Sequence, residues 1–383
     1  MRHENSVFHG VLKQVPWSEF DRLVDEHRAD HRVRRLTTKS QFVAMLYGQL
    51  AGAASLREIV TGLQSQASRL YHVGARPAQR STLADANAAR PSAVFSDLFA
   101  RMVAQAQRGL RRKIAETTYL IDATSLRLCA LSEAWSHVSD GTCAIKLHVI
   151  HDPDSDRPVY AAFSAANVND ITVAKTMPIE PGATYVFDLG YYDFGWWARL
   201  DAAGCRIVTR FKANTPLAVV AELPVARGST VLSDRIGHLP QRQARSRRNP
   251  FQDPVREIRV KTETGKVLRL LCNDLDATAE DIAGLYKRRW AVELFFRWVK
   301  QTLRITRFFG TSENAVRIQI IVALIAYLLL RIAHAAQRCV QSPLAFARLV
   351  RINLMHRRPL NALLSPDQPM TISPPQLALA LHG

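Results

Sequence analysis

Three acidic side chains occupy positions from which they could hold metal ions: Asp122, Asp188 and Glu293. The short β-prone run Tyr119-Leu120-Ile121 stops at Asp122, and a second run, Ala183 to Phe187, stops at Asp188. An aspartate that ends a strand projects from the edge of a sheet, although a single one is usually a turn former. Glu293 lies in a predicted helix, and the three acids together predict one acidic site.

The predicted helix around Glu293 carries a stripe of hydroxyl and basic side chains on the same face. At about 100° per residue, positions three, four and seven apart fall on one side of a helix. An ordinary amphipathic helix also separates charged from apolar residues. The stripe therefore indicates a functional site only in combination with the two strand-end aspartates. The stripe consists of Tyr286, Arg289, Glu293, Arg297, Lys300 and Arg304.

Three carboxylates without a histidine or cysteine suit hard divalent cations such as Mg²⁺, with Mn²⁺ as a substitute. Two metal ions about 4 Å apart can neutralise both the attacking and the leaving oxygen of a phosphodiester displacement. In this interpretation Asp122 bridges both ions, while Asp188 and Glu293 each complete one site. Arg289 and Lys300 would clamp phosphates.

In the same interpretation, Tyr286 would donate its hydroxyl to a phosphate. Arg297 and Arg304 extend the basic stripe, and Arg210 and Lys212, at the end of a predicted strand, are also assigned to DNA binding. The chain as a whole favours such a partner, because Lys and Arg exceed Asp and Glu by 18 and the pI is near 10.2. Charge alone is weak evidence, since a positive balance also keeps a protein soluble.

The cysteines and the apolar segments exclude other classes of protein. Five scattered cysteines form no C-x-x-C pair, which argues against a zinc ribbon or a disulfide framework and fits a reducing cytoplasm. The polar N-terminus lacks the apolar core of a signal peptide. The stretch from Ile318 to Leu330 is too short to span a bilayer and is interpreted as a buried helix. We therefore expect a cytoplasmic protein without a membrane partner.

Apolar spacing divides the chain into segments. Residues 1–115 predict a helical DNA-binding domain, with a helical cap bearing a solvated basic face as the alternative. Residues 116–211 predict three strands, a helix, a strand, a helix and a strand, which is an α/β pattern. Residues 212–272 predict a β-rich insertion, residues 273–335 contain the helix of Glu293, and residues 336–383 form a C-terminal helical segment.

Three blocks resemble the DDE transposases of the IS4 insertion-sequence family: Ile121 to Ser125, Phe187 to Tyr191, and a Tyr-x2-Arg-x3-Glu-x6-Lys signature. Residues Ser81 to Asn87 are also similar to a helical end-binding region of that family. The resemblance implies a ribonuclease-H-like mixed five-stranded sheet with flanking helices, and a DDE triad that holds two Mg²⁺ ions. It also implies cut-and-paste transposition of double-stranded DNA, from terminal inverted repeats into a target, by a homodimer on paired ends.

The sequence departs from the family in one respect and leaves other functions open. No tryptophan lies in the insertion, where relatives stack a flipped base, and Phe251 is the substitute that we expect. The run of Arg242, Arg245, Arg247 and Arg248 in that insertion suits phosphate contacts, but equally a solvated loop. The competing functions are a catalytically inactive protein that binds transposon ends and a structure-specific metal-dependent nuclease.

Overall fold

The structure, a computed structural model, describes residues 5–108, 116–139, 142–243, 247–303, 305, 307–337 and 342–363. Its first part is helical, as the sequence predicts. These helices are α1 (Val7–Leu12), α2 (Trp17–Glu26), α3 (Thr38–Ala51), α4 (Leu56–Gln64), α5 (Ala67–Leu70), α6 (Arg80–Ala89) and α7 (Ala93–Arg108).

Local signals explain where these helices begin and end. The side chain of Thr37 accepts a hydrogen bond from the backbone N–H of Ser40 at 3.2 Å and so caps α3. The same helix stops at Gly52, whose φ of 68° lies in the left-handed region that glycine adopts at low cost. The side chain of Ser55 accepts from the backbone N–H of Glu58 at 3.2 Å and so caps α4.

The second part is a mixed sheet with helices on both faces. Its strands are β1 (Thr118–Leu128), β2 (His137–Ser139), β3 (Thr142–Asp152), β4 (Arg157–Ala165), β5 (Thr184–Phe187), β6 (Arg206–Arg210), β7 (Ala218–Leu223), β8 (Val231–His238), β9 (Arg242–Gln243), β10 (Arg247–Arg248), β11 (Val255–Lys261) and β12 (Val267–Cys272). The helices after α7 are α8 (Glu133–Ser136), α9 (Asp170–Ala174), α10 (Phe194–Ala202), α11 (Ala279–Arg288), α12 (Trp290–Thr302), α13 (Glu313–Ala336) and α14 (Pro343–Asn353).

Five strands form the core that the sequence predicts, in the spatial order β4-β3-β1-β5-β6. The hairpin of β3 and β4 is antiparallel, and β3 pairs antiparallel with β1. The next two neighbours, β5 and β6, run parallel to β1. The mixed α/β sheet is thus confirmed, and its strand order agrees with the ribonuclease-H-like arrangement that the resemblance implies.

The sheet is larger than the five strands expected from the sequence. Among the described residues ten strands belong to it, since β12 pairs with β6 and is followed outward by β11, β8 and β7. The predicted insertion is therefore β-rich, but most of its strands extend the core sheet. Pairing β12 onto β6 satisfies backbone groups that would otherwise form a free sheet edge. The pair β9 and β10 forms a separate small ribbon.

The apolar stretch from Ile318 to Leu330 is a buried helix, as predicted. It forms the centre of α13, which packs against α3, α6 and α7 and so joins the N-terminal helices to the sheet region. By length and composition α13 could cross a membrane, but 83% of its most apolar window is buried inside the protein, as in the core helix of a soluble protein. One apolar core includes the N-terminal helices, one face of the sheet and α13.

Candidate active site

Asp122 lies in the interior of β1 and not at its end, which corrects the sequence prediction. The strand continues to Leu128 because it stays paired with β3, and Asp122 is opposite Val149 in that register. Its side chain is 16% exposed and accepts a hydrogen bond from the backbone N–H of Ala123 at 2.8 Å. This contact holds the carboxylate close to the strand.

Asp188 directly follows β5, as the sequence predicts. Its Oδ1 accepts a hydrogen bond from the backbone N–H of Gly190 at 2.8 Å and caps the tight turn that follows. The parallel register pairs Leu120 with Val186. Asp122 and Asp188 therefore stand two residues beyond a paired position on neighbouring strands, which places the two aspartates side by side at this level of the sheet.

Glu293 lies on α12, which packs against β1. The guanidinium of Arg289 joins this helix to the sheet: its Nη2 lies 2.6 Å from Oε1 of Glu293, and its Nη1 lies 3.5 Å from Oδ2 of Asp122. Arg289 thus contacts two of the three predicted acids at once.

The predicted single helix is divided at Arg289. This residue ends α11 and precedes α12, and its backbone N–H donates to the carbonyl of Tyr286, three residues back. Such an i→i+3 bond tightens one turn of a helix locally. The turn separates Tyr286, on α11, from Glu293 and Lys300, on α12, so the stripe predicted on one face is distributed over two helices.

The three carboxylates affect one another electrostatically. The pKa of Asp122 is raised to about 6, chiefly by burial and also by the charges of Asp188 and Glu293, whereas the Ala123 N–H and the charge of Arg289 lower it. This coupling shows that both other acids lie within electrostatic reach of Asp122. Three carboxylates face one contacting guanidinium, so the cluster has an excess of two negative charges when all groups are ionised.

The donor set fits divalent cations of the hard, oxygen-binding type. No three His, Cys, Asp or Glu side chains converge on a single metal position within the described residues. Two ions that each lie between a pair of carboxylates would need no such convergence, because Mg²⁺ keeps several water ligands. The excess negative charge and the raised pKa of Asp122 both favour a cation at this position.

The family follows from comparison with known proteins. A family model described as "Transposase DDE domain" matches residues 114–329. The chain belongs to the DDE transposases. A second family model, described as a domain of unknown function, matches residues 3–76.

The relatives of this DDE transposase have names of the same kind. The protein named Putative transposase y4zB, from Sinorhizobium fredii, is 41% identical over 302 residues, which cover 78% of this chain and 82% of that protein. The probable transposase for insertion sequence element IS5377, from Geobacillus stearothermophilus, is 29% identical over 63% of each chain. A cryo-EM structure of a piggyBac transposase synaptic complex with hairpin DNA has 13% identity and a TM-score of 0.45, covering 94% of this chain and 81% of that one. This last similarity is too low to support a functional comparison.

Three of the residues assigned to DNA binding, Arg210, Tyr286 and Arg289, lie near the acidic cluster of this DDE transposase. Burial raises the pKa of Tyr286, and the charges of Arg289, Arg210 and Asp188 also act on it, which places these groups near one another. Lys300 is partly buried, and burial lowers the pKa of its ammonium group.

Other predicted DNA contacts are less closely associated with the cluster. Arg297 is exposed on α12. The ammonium of Lys212 lies 4.4 Å from the ring centre of Tyr192. Arg304 lies outside the described residues, as does Arg245 of the insertion.

Two exposed apolar side chains lie close to Glu293 on the same helix and were not predicted as site residues from the sequence. Trp290 is 58% exposed and Leu294 is 55% exposed, and both stand on α12. Because they are four residues apart on one helix, the two side chains form a small exposed apolar patch beside the acidic cluster. The sequence signal that could have found Trp290 is its position directly after Arg289 in the Tyr-x2-Arg-x3-Glu-x6-Lys signature.

Two further groups beside Asp188 were also missed. Asp170 bonds Lys146 at 2.8 Å and approaches Gly190, where an added Cβ would lie 3.2 Å from Oδ2 of Asp170 and 3.0 Å from Oδ1 of Asp188. The hydroxyl of Tyr191 is buried and has no hydrogen-bond partner among the described residues. Only the fold brings these groups together, since residues 146 and 170 are far from 188 in sequence.

The aromatic side chains of the insertion and of α10 are packing groups. Phe251 is 2% exposed, so the expectation that it stacks a flipped base is wrong in this conformation. It belongs to the apolar core on the second face of the sheet. Trp196 and Trp197 are buried in the same core and are helix packing groups.

Proposed function

We propose that this transposase cuts DNA at the ends of an insertion sequence and joins them to a target by a cut-and-paste reaction, with Asp122, Asp188 and Glu293 as the ligands of two divalent cations. Mg²⁺ is the expected ion, and Mn²⁺ would substitute for it. The observation that carries the proposal is the coupling of these three carboxylates, on two adjacent parallel strands and one packed helix, around a single guanidinium.

When bound, the two cations would stabilise the charge that develops on the attacking and leaving oxygens of a phosphodiester displacement. The chain's own residues then hold the substrate. The backbone N–H of Ala123 holds the carboxylate of Asp122, and the charges of Asp188 and Glu293 both act on that carboxylate. Asp122 and Glu293 would hold a cation, and the guanidinium of Arg289, which contacts both carboxylates, would also be placed to bind a phosphate.

The surroundings of the cluster suit a DNA end. Arg210, Tyr286 and Lys300 offer a guanidinium, a hydroxyl and an ammonium to phosphates on either side of the scissile bond. The exposed indole of Trp290, directly beside Arg289, offers a flat apolar surface on which a base can stack. We infer that Trp290, and not Phe251, contacts an unstacked base near the cut.

The experiment compares the parent protein with Glu293→Gln on labelled duplexes that carry the ends of the element and its flanking DNA, with Mg²⁺ present. We expect end-specific cleavage by the parent and none by the variant, because the variant has lost one ligand. Filter binding should show that both proteins retain DNA. A matched control is Glu263→Gln, the same substitution at a side chain that is 88% exposed in a loop.

The outcomes separate the competing functions. Equal binding without cleavage by either protein would favour an inactive protein that occupies transposon ends. Cleavage without joining to a target plasmid, under conditions with paired ends, would favour a structure-specific nuclease. If Glu293→Gln cuts as well as Glu263→Gln does, the assignment of Glu293 is wrong. Mn²⁺ binding measured by electron paramagnetic resonance gives a second readout that does not depend on activity.

A further inference from the structure

A loop between α2 and α3 carries a dense group of basic side chains. We call residues 27–37 the arginine loop. It contains two histidines and one acid, Asp30, and four arginines whose side chains are all exposed: Arg28, Arg32, Arg34 and Arg35. The loop lies within the segment matched by the domain of unknown function, residues 3–76.

The arginine loop is fastened to the helices around it. Its single acid, Asp30, accepts hydrogen bonds from the backbone N–H and the hydroxyl of Thr38, both at 2.7 Å. At the other end of the loop, the buried guanidinium of Arg90 donates to the carbonyl of Leu36. His27 lies 2.7 Å from the carboxylate of Asp97, on α7. Asp30 thus accepts hydrogen bonds from Thr38 and does not pair with the four exposed arginines of the loop.

Two of the arginines have a costly backbone conformation. The φ angles of Arg28 and Arg32 are 48° and 57°, in the left-handed region that residues other than glycine rarely adopt. Such a residue costs of order 1 kcal/mol or more and persists only where the surrounding contacts enforce it. At Arg28 this conformation ends α2, because the backbone N–H of Ala29 donates to the carbonyl of Val24 as in a Schellman motif. The side chains of Arg28 and Arg32 are both exposed.

The exposed arginines differ from others in the same domain. Arg22 and Arg101 both bind the carboxylate of Glu19. No carboxylate of the described residues pairs with Arg28, Arg32, Arg34 or Arg35, although the acids Asp25 and Glu26 end the preceding helix. Four cations on one rigid loop are therefore available to an external anion.

We propose that the arginine loop binds the phosphate backbone of duplex DNA. Arginine forks match phosphate oxygens, and a fixed loop loses little conformational entropy when it binds. Contacts of this kind position DNA without reading its sequence. The proposal rests on the proposed function, and it names the side chains of the predicted helical DNA-binding domain that would contact phosphates.

The test measures the affinity of the full chain for a duplex as a function of salt concentration. Removing one phosphate contact should reduce the slope of log K against log salt by about 1. We expect Arg34→Gln/Arg35→Gln to reduce it by about 2 and to weaken binding to specific and unrelated duplexes alike. Arg34→Lys/Arg35→Lys should retain the slope, because the charge is kept. The matched control, Arg22→Gln/Arg101→Gln, removes the same charge from arginines that are already paired with Glu19.

An unchanged slope in the Gln variant, or an equal fall in the matched control, would overturn the proposal, as would tighter binding of duplex RNA than of duplex DNA. Thermal melting of each variant shows that the fold is intact. Glu293→Gln, measured alongside, should lose cleavage but keep the parent's slope. The salt dependence of binding therefore tests the arginine loop, and cleavage tests the proposed catalytic site, so each proposal can fail without the other.

Discussion

Two clusters of carboxylates and arginines occupy different parts of the same sheet, and their charges are balanced in opposite ways. Between β8 and β11, Arg256 forms a bidentate pair with Asp234 at 2.8 and 2.6 Å, and both side chains are at most 5% exposed. Next to it, Glu257 accepts hydrogen bonds from Arg269 and Arg259. Each acid of this cluster is matched by at least one guanidinium.

Around Asp122, the guanidinium of Arg289 contacts Asp122 and Glu293, and Asp188 adds a third negative charge within electrostatic reach of Asp122. The pKa values follow this balance. Burial raises the pKa of Asp122 to about 6. Burial would also raise the pKa of Glu257, but the hydrogen bonds from Arg269 and Arg259 outweigh it and lower that pKa. Matched charges hold the outer strands together, whereas the cluster around Asp122 keeps an excess of negative charge, and it is there that we propose the cations bind.

The largest expected effect on stability breaks the matched cluster. Asp234→Asn leaves the buried guanidinium of Arg256 without a countercharge, and we expect it to lower the free energy of unfolding by about 3–5 kcal/mol. Urea unfolding followed by circular dichroism measures this. The comparison variant is Glu222→Gln. Glu222 is largely exposed and its partner Arg235 is partly exposed, so this substitution should lower the free energy of unfolding by less than about 1 kcal/mol. If both variants lose the same free energy of unfolding, burial does not determine how much these ion pairs contribute to stability.

A second prediction uses pH to separate the clusters in metal-free buffer. The pKa of Asp122 is about 6 in the folded state, against an ordinary value of 3.8 for a free aspartate side chain, so the folded state resists ionisation. The free energy of unfolding should fall as pH rises from about 4 to 6, by up to roughly 3 kcal/mol, and stay low above that range. Asp122→Asn should abolish this fall and exceed the parent in stability at pH 7.

Glu257 should behave in the opposite way. Its folded-state pKa lies below the ordinary 4.5, so its contribution is present above pH 4.5 and is lost as pH falls through the folded-state value. Glu257→Gln should therefore be less stable than the parent at pH 7 and approach it in acid. Parallel stability curves for the parent and both variants across pH 3–8 would show that the two clusters do not differ as described.

The smallest expected effect concerns Tyr191, next to the unmatched cluster. Its buried hydroxyl has no hydrogen-bond partner among the described residues, and leaving such a group unsatisfied costs about 1–3 kcal/mol. Tyr191→Phe should raise the free energy of unfolding by about 1 kcal/mol. Tyr185→Phe is the control, because the hydroxyl of Tyr185 accepts from the Glu180 N–H at 2.8 Å and its removal should destabilise the protein. A loss of stability in Tyr191→Phe would mean that its hydroxyl has a partner.

Much of the fold was predictable because it depends on local patterns. The spacing of apolar residues predicted the helical first part, short apolar runs predicted the strands β3 and β4, and a continuous apolar stretch predicted the buried helix α13. The turn residues after Phe187 marked the end of β5 correctly. The extent of β1 was not predictable, because Asp122 is a poor strand former that β3 keeps in register from outside.

What the sequence determined by itself is the family and the identity of the candidate acids, since both depend on residue types at short spacings. Tertiary structure alone decided that Arg289 joins Asp122 to Glu293, that Asp170 approaches Asp188, and that the inserted strands extend the core sheet. It also decided that Phe251 is buried and Trp290 exposed. The physical reason is that burial and charge coupling depend on contacts between residues far apart in the chain, which only the packed sheet and helices bring within a few ångströms.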